Sequence, residues 1–186
     1  PCQGLTDLMT LRELFPSGLS GKKVVLTWVP HVKPLTQSVG NSFLYAAALS
    51  GANVTLAHPE GFDLQDDAIA AAKALCDKNG AKLSLHFDQD AALQDADVVY
   101  AKSWVSSKWY GDWESELAIR NKIDADWRLT ADKMSRTHRA KFMHPLPIRR
   151  NLSVDDALLD GGDCVAYQQA ENRLHLQKAL LLGLLE

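Results

Sequence analysis

The stretch Lys23-Val24-Val25-Leu26-Thr27-Trp28-Val29-Pro30-His31-Val32-Lys33-Pro34-Leu35-Thr36 decides how the rest of the chain is read. Lys23–Trp28 is rich in Val and Leu with no polar alternation, which predicts a buried strand. A loop over Val29–Thr36 follows, then a helix that runs to Ser50 and stops at Gly51, where a residue tolerant of positive φ closes a helix. The unit recurs. Asn53–Ala57 reads as a strand, Asp66–Asn79 as a helix stopped by Gly80, Lys82–Phe87 as a strand, Gln89–Gln94 as a short helix and Val98–Ala101 as a strand. Strands alternating with helices imply an α/β fold with a doubly wound parallel sheet.

Farther along, Thr130 is placed to cap a short helix over Ala131–Ser135, Lys141–Met143 and Cys164–Tyr167 read as further strands, and Gln168–Leu185 as a closing helix. At the other end Leu5, Leu8, Met9, Leu11 and Phe15 recur at helical spacing from Gly4 to Phe15, before Pro16-Ser17-Gly18 stops the helix. That first helix reads as a linker between domains.

With 186 residues, 46% apolar and 23% charged, the chain can bury one good core. A net charge of −3 with scattered Lys and Arg offers no basic stripe, so nucleic acid is not an expected partner. Cys2, Cys76 and Cys164 are widely spaced and show neither a metal-ligand nor a disulfide pattern, so no metal or other cofactor is implied and a reducing cytoplasm is the expected setting. No apolar run reaches the roughly 18–20 residues of a membrane span.

Ligands of doubly wound sheets bind beyond the carboxyl ends of the strands, which directs attention to the loops Val29–Thr36, His58–Leu64, Lys102–Trp113 and His144–Asn151. A dinucleotide would need a glycine-rich turn after the first strand so that backbone amides could approach a pyrophosphate. The turn Thr27-Trp28-Val29-Pro30-His31 has no glycine, so a Rossmann-like sheet is expected without a dinucleotide. In the last of these loops, Pro145-Leu146-Pro147 cannot be helical, and it holds backbone carbonyls in a rigid arrangement suited to an NH2 group.

Three segments carry a resemblance. His144-Pro145-Leu146-Pro147-Ile148-Arg149-Arg150-Asn151, Gln169-Ala170-Glu171-Asn172-Arg173 and Pro1-Cys2-Gln3 resemble the aspartate/ornithine carbamoyltransferases. Members of that superfamily carry His-Cys-Leu-Pro or His-Pro-Leu-Pro, a Glu-Asn-Arg opening the last helix, and a His-Pro-x-Gln carbamoyl-phosphate motif. The resemblance is nearest to the N-acetylornithine and N-succinylornithine enzymes and covers essentially the whole chain. It implies carbamoyl phosphate and an N-acyl-ornithine as substrates, arginine biosynthesis as the setting, and a trimeric full-length enzyme.

What the resemblance implies for individual residues is as follows. The carbonyls of Pro145 and Leu146 and the side chain of Gln3 hold the carbamoyl NH2, and Arg173 reaches the carbamoyl oxygen or the phosphate with a planar, permanently charged fork. His31, Lys102 and Leu146 belong to the amino-acid side. His144 is the candidate for a catalytic role, against a reading in which it only orients its loop. Arg173 has its own plainer alternative, a surface ion pair with Glu171 or Asp163.

Two departures bear on specificity. Pro145 stands where the ornithine and acylornithine enzymes usually have Cys and is typical of the aspartate enzymes, whereas Ile148 followed by Arg149-Arg150-Asn151 matches the acylornithine pattern. Ser153 stands where a Lys can occur in that group. In Tyr100-Ala101-Lys102-Ser103-Trp104, Lys102 replaces the Asp that pairs with the α-ammonium of free ornithine, and it would face an α-carboxylate instead. Trp104, Trp109, Tyr110 and Trp113 line an acyl pocket or simply pack their loop.

The His of the carbamoyl-phosphate motif would lie just before residue 1, and no Ser-x-Arg-Thr-Arg phosphate loop occurs. The expected organisation is therefore a C-terminal fragment, inactive by itself: residues 1–20 a linker helix, 21–167 an ornithine-binding domain, and 168–186 a helix that packs on an absent N-terminal domain. Both terminal helices should then expose apolar faces, or pair with each other. Ornithine or aspartate carbamoyltransferases of altered specificity, and a non-catalytic binding or regulatory paralogue, are the alternatives.

Overall fold

The structure, a computed structural model, describes residues 2–185; Pro1 of the Pro1-Cys2-Gln3 motif and Glu186 lie outside the described residues. Its elements are α1 (Cys2–Leu14), β1 (Lys23–Trp28), α2 (Ser38–Leu49), β2 (Asn53–Ala57), α3 (Asp66–Lys78), β3 (Leu83–His86), α4 (Gln89–Leu93), β4 (Val98–Lys102), α5 (Trp113–Trp127), α6 (Ala131–Met134), β5 (Lys141–Met143), α7 (Asp156–Leu159) and α8 (Ala166–Leu185). The five strands form one all-parallel sheet in the order β3-β2-β1-β4-β5. The expected fold class is what forms.

β1 is buried along nearly its whole length because helices cover both faces of the sheet. Val24, Val25, Leu26 and Trp28 are solvent-free and join Phe43 and Leu44 of α2, Val99 and Tyr100 of β4 and Phe142 of β5 in a single core. Helix ends follow local chemistry. Asp88 caps α4 by accepting from the amides of Asp90 and Ala91, Thr130 accepts from Lys133 N–H at α6, and Gly51 takes φ +82° after α2. Gly4 lets α1 lie against α2, since a Cβ there would come within 2.7 Å of the Ser42 carbonyl oxygen.

Two expectations need correction. The strand expected over Cys164–Tyr167 is a single bridge, Phe142 with Cys164. Phe142 bonds the Asp163 carbonyl and the Val165 amide at 2.8 and 2.9 Å, after which Gln169 N–H turns back to the Val165 carbonyl and α8 has begun. And α5 has no counterpart in the apolar pattern. Asp112 caps it by accepting from Ser115 N–H, but the side chains it buries are Glu116, Arg120 and Trp127, so its inner face is charged where a helical stripe is normally apolar.

The terminal helices lie against each other. Asn172 of α8 donates to Thr10 Oγ1 at 3.0 Å and to Glu13 Oε2 at 2.6 Å on α1, and Gln168 adds a bond to Glu13. The far end of α8 leaves Leu174, Leu181, Leu184 and Leu185 exposed. Among the described residues no helix is long and apolar enough to cross a membrane.

Candidate active site

β1 and β4 are neighbours in space but not in sequence, and chain connections leave them in opposite directions. A crevice opens at such a switch point. Register sets what lines it: Trp28 pairs with Lys102, so the last residue of β4 stands beside the start of the Val29–Thr36 loop, and Tyr100 pairs with Met143, which brings His144 just past the end of β5. Val29 N–H also bonds the Lys102 carbonyl at 3.2 Å.

His31, Lys102 and His144 are thereby close enough to act on one another's charge. His144 is almost wholly buried, and its pKa is pushed down to about 3, first by that burial and then by the Lys102 ammonium and by His31. It is neutral at physiological pH, so it offers one N–H and one lone pair rather than a proton to donate as an acid. Among the described residues its Nδ1 has no hydrogen-bond partner. Burial also lowers Lys102 below the usual lysine range, and lowers His31, with Lys102, Arg149 and Arg120 adding to the effect. Among the described residues no carboxylate is in ion-pair contact with Lys102. A pocket edge that sets the Lys102 ammonium beside two imidazoles held toward their neutral form, with no bonded acid among the described residues, suits an anion that one cation and neutral hydrogen-bonding groups can hold.

Gln3 and Arg173 meet on the flank. Arg173 Nη1 donates to Gln3 Oε1 at 3.0 Å, and neither Glu171 nor Asp163 pairs with the guanidinium, since these go to His175 and Lys141. Gln3 Nε2 in turn donates to Asp7 Oδ1 at 2.7 Å, Gln169 Nε2 to the same oxygen at 2.6 Å, and Tyr100 O–H to Asp7 Oδ2 at 3.0 Å. Gln169 Oε1 accepts from the His144 backbone N–H at 3.0 Å, so one chain of hydrogen bonds runs from Arg173 to the start of the His144–Asn151 loop. In that loop Leu146 is partly exposed, the Leu146–Pro147 peptide is cis, and among the described residues no backbone amide bonds the Leu146 carbonyl.

Sequence reasoning gave no role to Asp7, Gln169 or Arg120, and noted Ser153 only as standing where a Lys can occur. Asp7 and Gln169 lie on helix faces that also carry Gln3 and Arg173, four residues away in each case, and that spacing was the available signal. Ser153 Oγ donates to the Pro30 carbonyl at 2.6 Å and fastens the His144–Asn151 loop to the Val29–Thr36 loop. Arg120, fully buried, bonds Glu116 at 2.6 Å, the Trp104 carbonyl at 2.9 Å and the His31 carbonyl at 3.5 Å, and it lies 5.0 Å from the Trp28 ring centroid. Arg150, by contrast, is held at the surface by Asp156 and Asp160.

The aromatic group divides. Trp104 is core, donating from Nε1 to the Phe62 carbonyl at 2.7 Å. Trp109, Tyr110 and Trp113 line a cleft of about 780 Å³ against Pro34, Leu35 and Gln37, beside the crevice.

A family model described as aspartate/ornithine carbamoyltransferase, Asp/Orn binding domain, matches residues 22–184. The chain is 41% identical over 186 residues to N-acetylornithine carbamoyltransferase of Xylella fastidiosa, an alignment covering 99% of this chain and 55% of that protein. It is 36% identical over 187 residues to ornithine carbamoyltransferase of Methanobrevibacter smithii, covering 100% of this chain and 58% of that one. It is 32% identical over 186 residues to N-succinylornithine carbamoyltransferase of Bacteroides thetaiotaomicron, covering 100% and 53%. The chain thus spans about half the length of the curated relatives it matches. Among solved structures, acetylornithine transcarbamylase complexed with acetylcitrulline superposes with a TM-score of 0.93 at 41% identity over 97% of this chain and 55% of that one. An N-acetyl-L-ornithine transcarbamylase variant complexed with PALAO gives 0.94 at the same identity and coverage. A shared sequence along nearly the whole sheet, and the same fold at that closeness, show that the chain belongs to the aspartate/ornithine carbamoyltransferases.

Proposed function

We propose that the chain is the amino-acid-binding half of an N-acyl-L-ornithine carbamoyltransferase of arginine biosynthesis, with residues 21–167 as the ornithine-binding domain and the helices at 1–20 and 168–186 as its connection to a carbamoyl-phosphate domain. The observation that carries it is Lys102, an ammonium at the carboxyl end of β4 beside His31 and His144 with no bonded acid among the described residues. That cation favours an α-carboxylate and an acyl oxygen and repels a free α-ammonium.

On this reading the δ-amine of the substrate attacks the carbamoyl carbon, the bond from that carbon to the phosphate oxygen breaks, and the proton shed by the amine leaves with the phosphate. No protein nucleophile is needed, so catalysis rests on positioning and on stabilising the tetrahedral oxyanion. The Pro145 and Leu146 carbonyls and Gln3 Oε1 accept from the carbamoyl NH2, Arg173 faces the carbamoyl oxygen or phosphate, and neutral His144 supplies a hydrogen bond without changing charge. Lys102 and His31 hold the carboxylate end, with Arg149 close enough to His31 to share it. The full-length enzyme works as a trimer in the cytoplasm, and residues 1–186 alone do not turn over.

The test is kcat/KM of the full-length protein with carbamoyl phosphate and each of N-acetylornithine, N-succinylornithine, ornithine and aspartate. Preference for an acylated ornithine by about tenfold or more is expected, since one unfavourable charge contact in a partly dry site is worth on the order of 1–3 kcal/mol. Pro145 in the position usual for aspartate enzymes favours a second reading, an ornithine or aspartate enzyme of altered specificity, and preference for a free amino acid would establish it. No turnover with any substrate would leave a binding paralogue.

A further inference from the structure

We propose that Asp7 is a positioning residue for carbamoyl transfer, whose carboxylate dictates which end of the Gln3 and Gln169 carboxamides faces the site and so aims Arg173 and the His144 backbone; this rests on the carbamoyltransferase reading above. A carboxamide has a donor end and an acceptor end of nearly the same shape, and by itself either orientation fits a slot. An ionised carboxylate only accepts. Asp7 Oδ1 takes the NH2 of Gln3 at 2.7 Å and that of Gln169 at 2.6 Å, and both carbonyl ends must therefore point away from it. Gln3 Oε1 then meets Arg173, and Gln169 Oε1 meets His144 N–H, at 3.0 Å each. With either amide reversed, NH2 would face a guanidinium or a backbone N–H, donor against donor.

The placement is costly, which separates it from ordinary packing. Asp7 is fully buried, and among the described residues no cation forms an ion pair with it; its other oxygen is held by the hydroxyl of Tyr100, itself buried and stacked on Phe43 with ring centroids 3.6 Å apart. A carboxylate in such surroundings is destabilising unless its hydrogen bonds specify something. Burial raises its pKa to about 6, against the pull of the three hydrogen bonds and of Arg173. Asp7 on α1, Tyr100 on β4 and Gln169 on α8 bring three elements to one carboxylate, and Gln169 extends the connection to His144 after β5. A residue that only stabilised the fold would be better apolar.

The experiment compares Asp7→Leu, Asp7→Asn, Gln169→Met and the double variant Asp7→Leu/Gln169→Met in the full-length enzyme. For Asp7→Leu we expect kcat/KM for carbamoyl phosphate to fall by about 10²-fold, the usual effect of a misplacement near 1 Å, with KM for the amino-acid substrate nearly unchanged. Asp7→Asn keeps an acceptor at Oδ1 and should retain most activity. Gln169→Met should show the same carbamoyl-phosphate signature, and the double variant should be no worse than Asp7→Leu. Equal losses for both substrates, an Asn variant as poor as Leu, or additive effects would overturn the proposal.

A second readout needs no turnover and no stable Leu variant. The side-chain NH2 resonances of Gln3 and Gln169 in wild type should move on Asp7→Asn, while those of Gln65 stay. Unmoved Gln3 and Gln169 signals would overturn the positioning role. A wild type that transfers no carbamoyl group but shows the resonance shift would sink the functional reading and leave the carboxamide control standing.

Discussion

Arg173 and Gln3 are joined by a 3.0 Å hydrogen bond from Nη1 to Oε1, although 170 positions separate them in the chain. The bond gives Arg173 a fixed direction at the flank of the crevice, where a mobile surface arginine would have none, and it spares the guanidinium from Glu171 and Asp163.

Arg173→Ala in the full-length enzyme should lower turnover with carbamoyl phosphate by about 10²–10³-fold, the usual cost of removing one donor to a developing oxyanion. Arg173→Lys should recover little, because a point charge cannot hold Gln3 and the substrate with one planar fork. Steady-state kinetics with varied carbamoyl phosphate decide it, and near-normal values for the Ala variant would return Arg173 to a structural role.

Lys102→Asp should shift the preference between acylated and free ornithine by roughly 2–4 kcal/mol, tens- to several hundred-fold, by turning attraction for the α-carboxylate into repulsion and offering the free α-ammonium a partner. The loss for the acylated substrate should exceed the gain for ornithine, since pocket shape is unchanged. The measurement is kcat/KM for both substrates in both proteins; a ratio that does not move removes Lys102 as the selector.

Acid should destabilise the fold through His144. Its folded pKa of about 3 lies below the unfolded value of about 6.5, so between those limits the unfolded chain binds a proton that the folded one refuses, and stability falls as pH drops. Asp7 acts in the opposite sense: its pKa is raised from 3.8 to about 6, so its penalty is present above pH 6 and disappears on acidification. Urea titrations at pH 7 and 4.5 should show His144→Gln losing roughly 2 kcal/mol less than wild type between the two, while parallel losses would mean that His144 is not buried neutral.

Glu116→Gln should cost about 3–5 kcal/mol of stability, because Arg120 would remain buried at full charge without its partner. Its bonds to the Trp104 and His31 carbonyls make that loss reach the crevice loops as well. Adding Arg120→Met should restore part of the stability. Chemical denaturation of the single and double variants measures both, and an unchanged midpoint for Glu116→Gln would refute the estimate.

How much could be read without coordinates varies by element. The Val- and Leu-rich run Lys23–Trp28 and its alternation with helices specify a parallel sheet, because only a strand covered on both faces can be apolar on both. The rigid Pro145-Leu146-Pro147 turn likewise announces itself, since proline removes the amide and fixes φ. Helix α5 was hidden because its buried positions, Glu116 and Arg120, satisfy each other; periodicity detects apolar side chains and cannot see a charged pair that tertiary contact makes internal.

The site divides in the same way. Sequence alone marked His31, Lys102, His144 and Arg173, through loop position and charge and, for His31, His144 and Arg173, through the family resemblance of the segments that hold them, all of which are local properties of the chain. Only the tertiary structure decided that Trp28 lies opposite Lys102, that Ser153 fastens one loop to another, and that Asp7 orients two glutamines. Those relations depend on sheet register and on α1 meeting α8. Both are set by packing between segments far apart in the chain, and no local pattern encodes which distant side chain will complete a buried hydrogen bond.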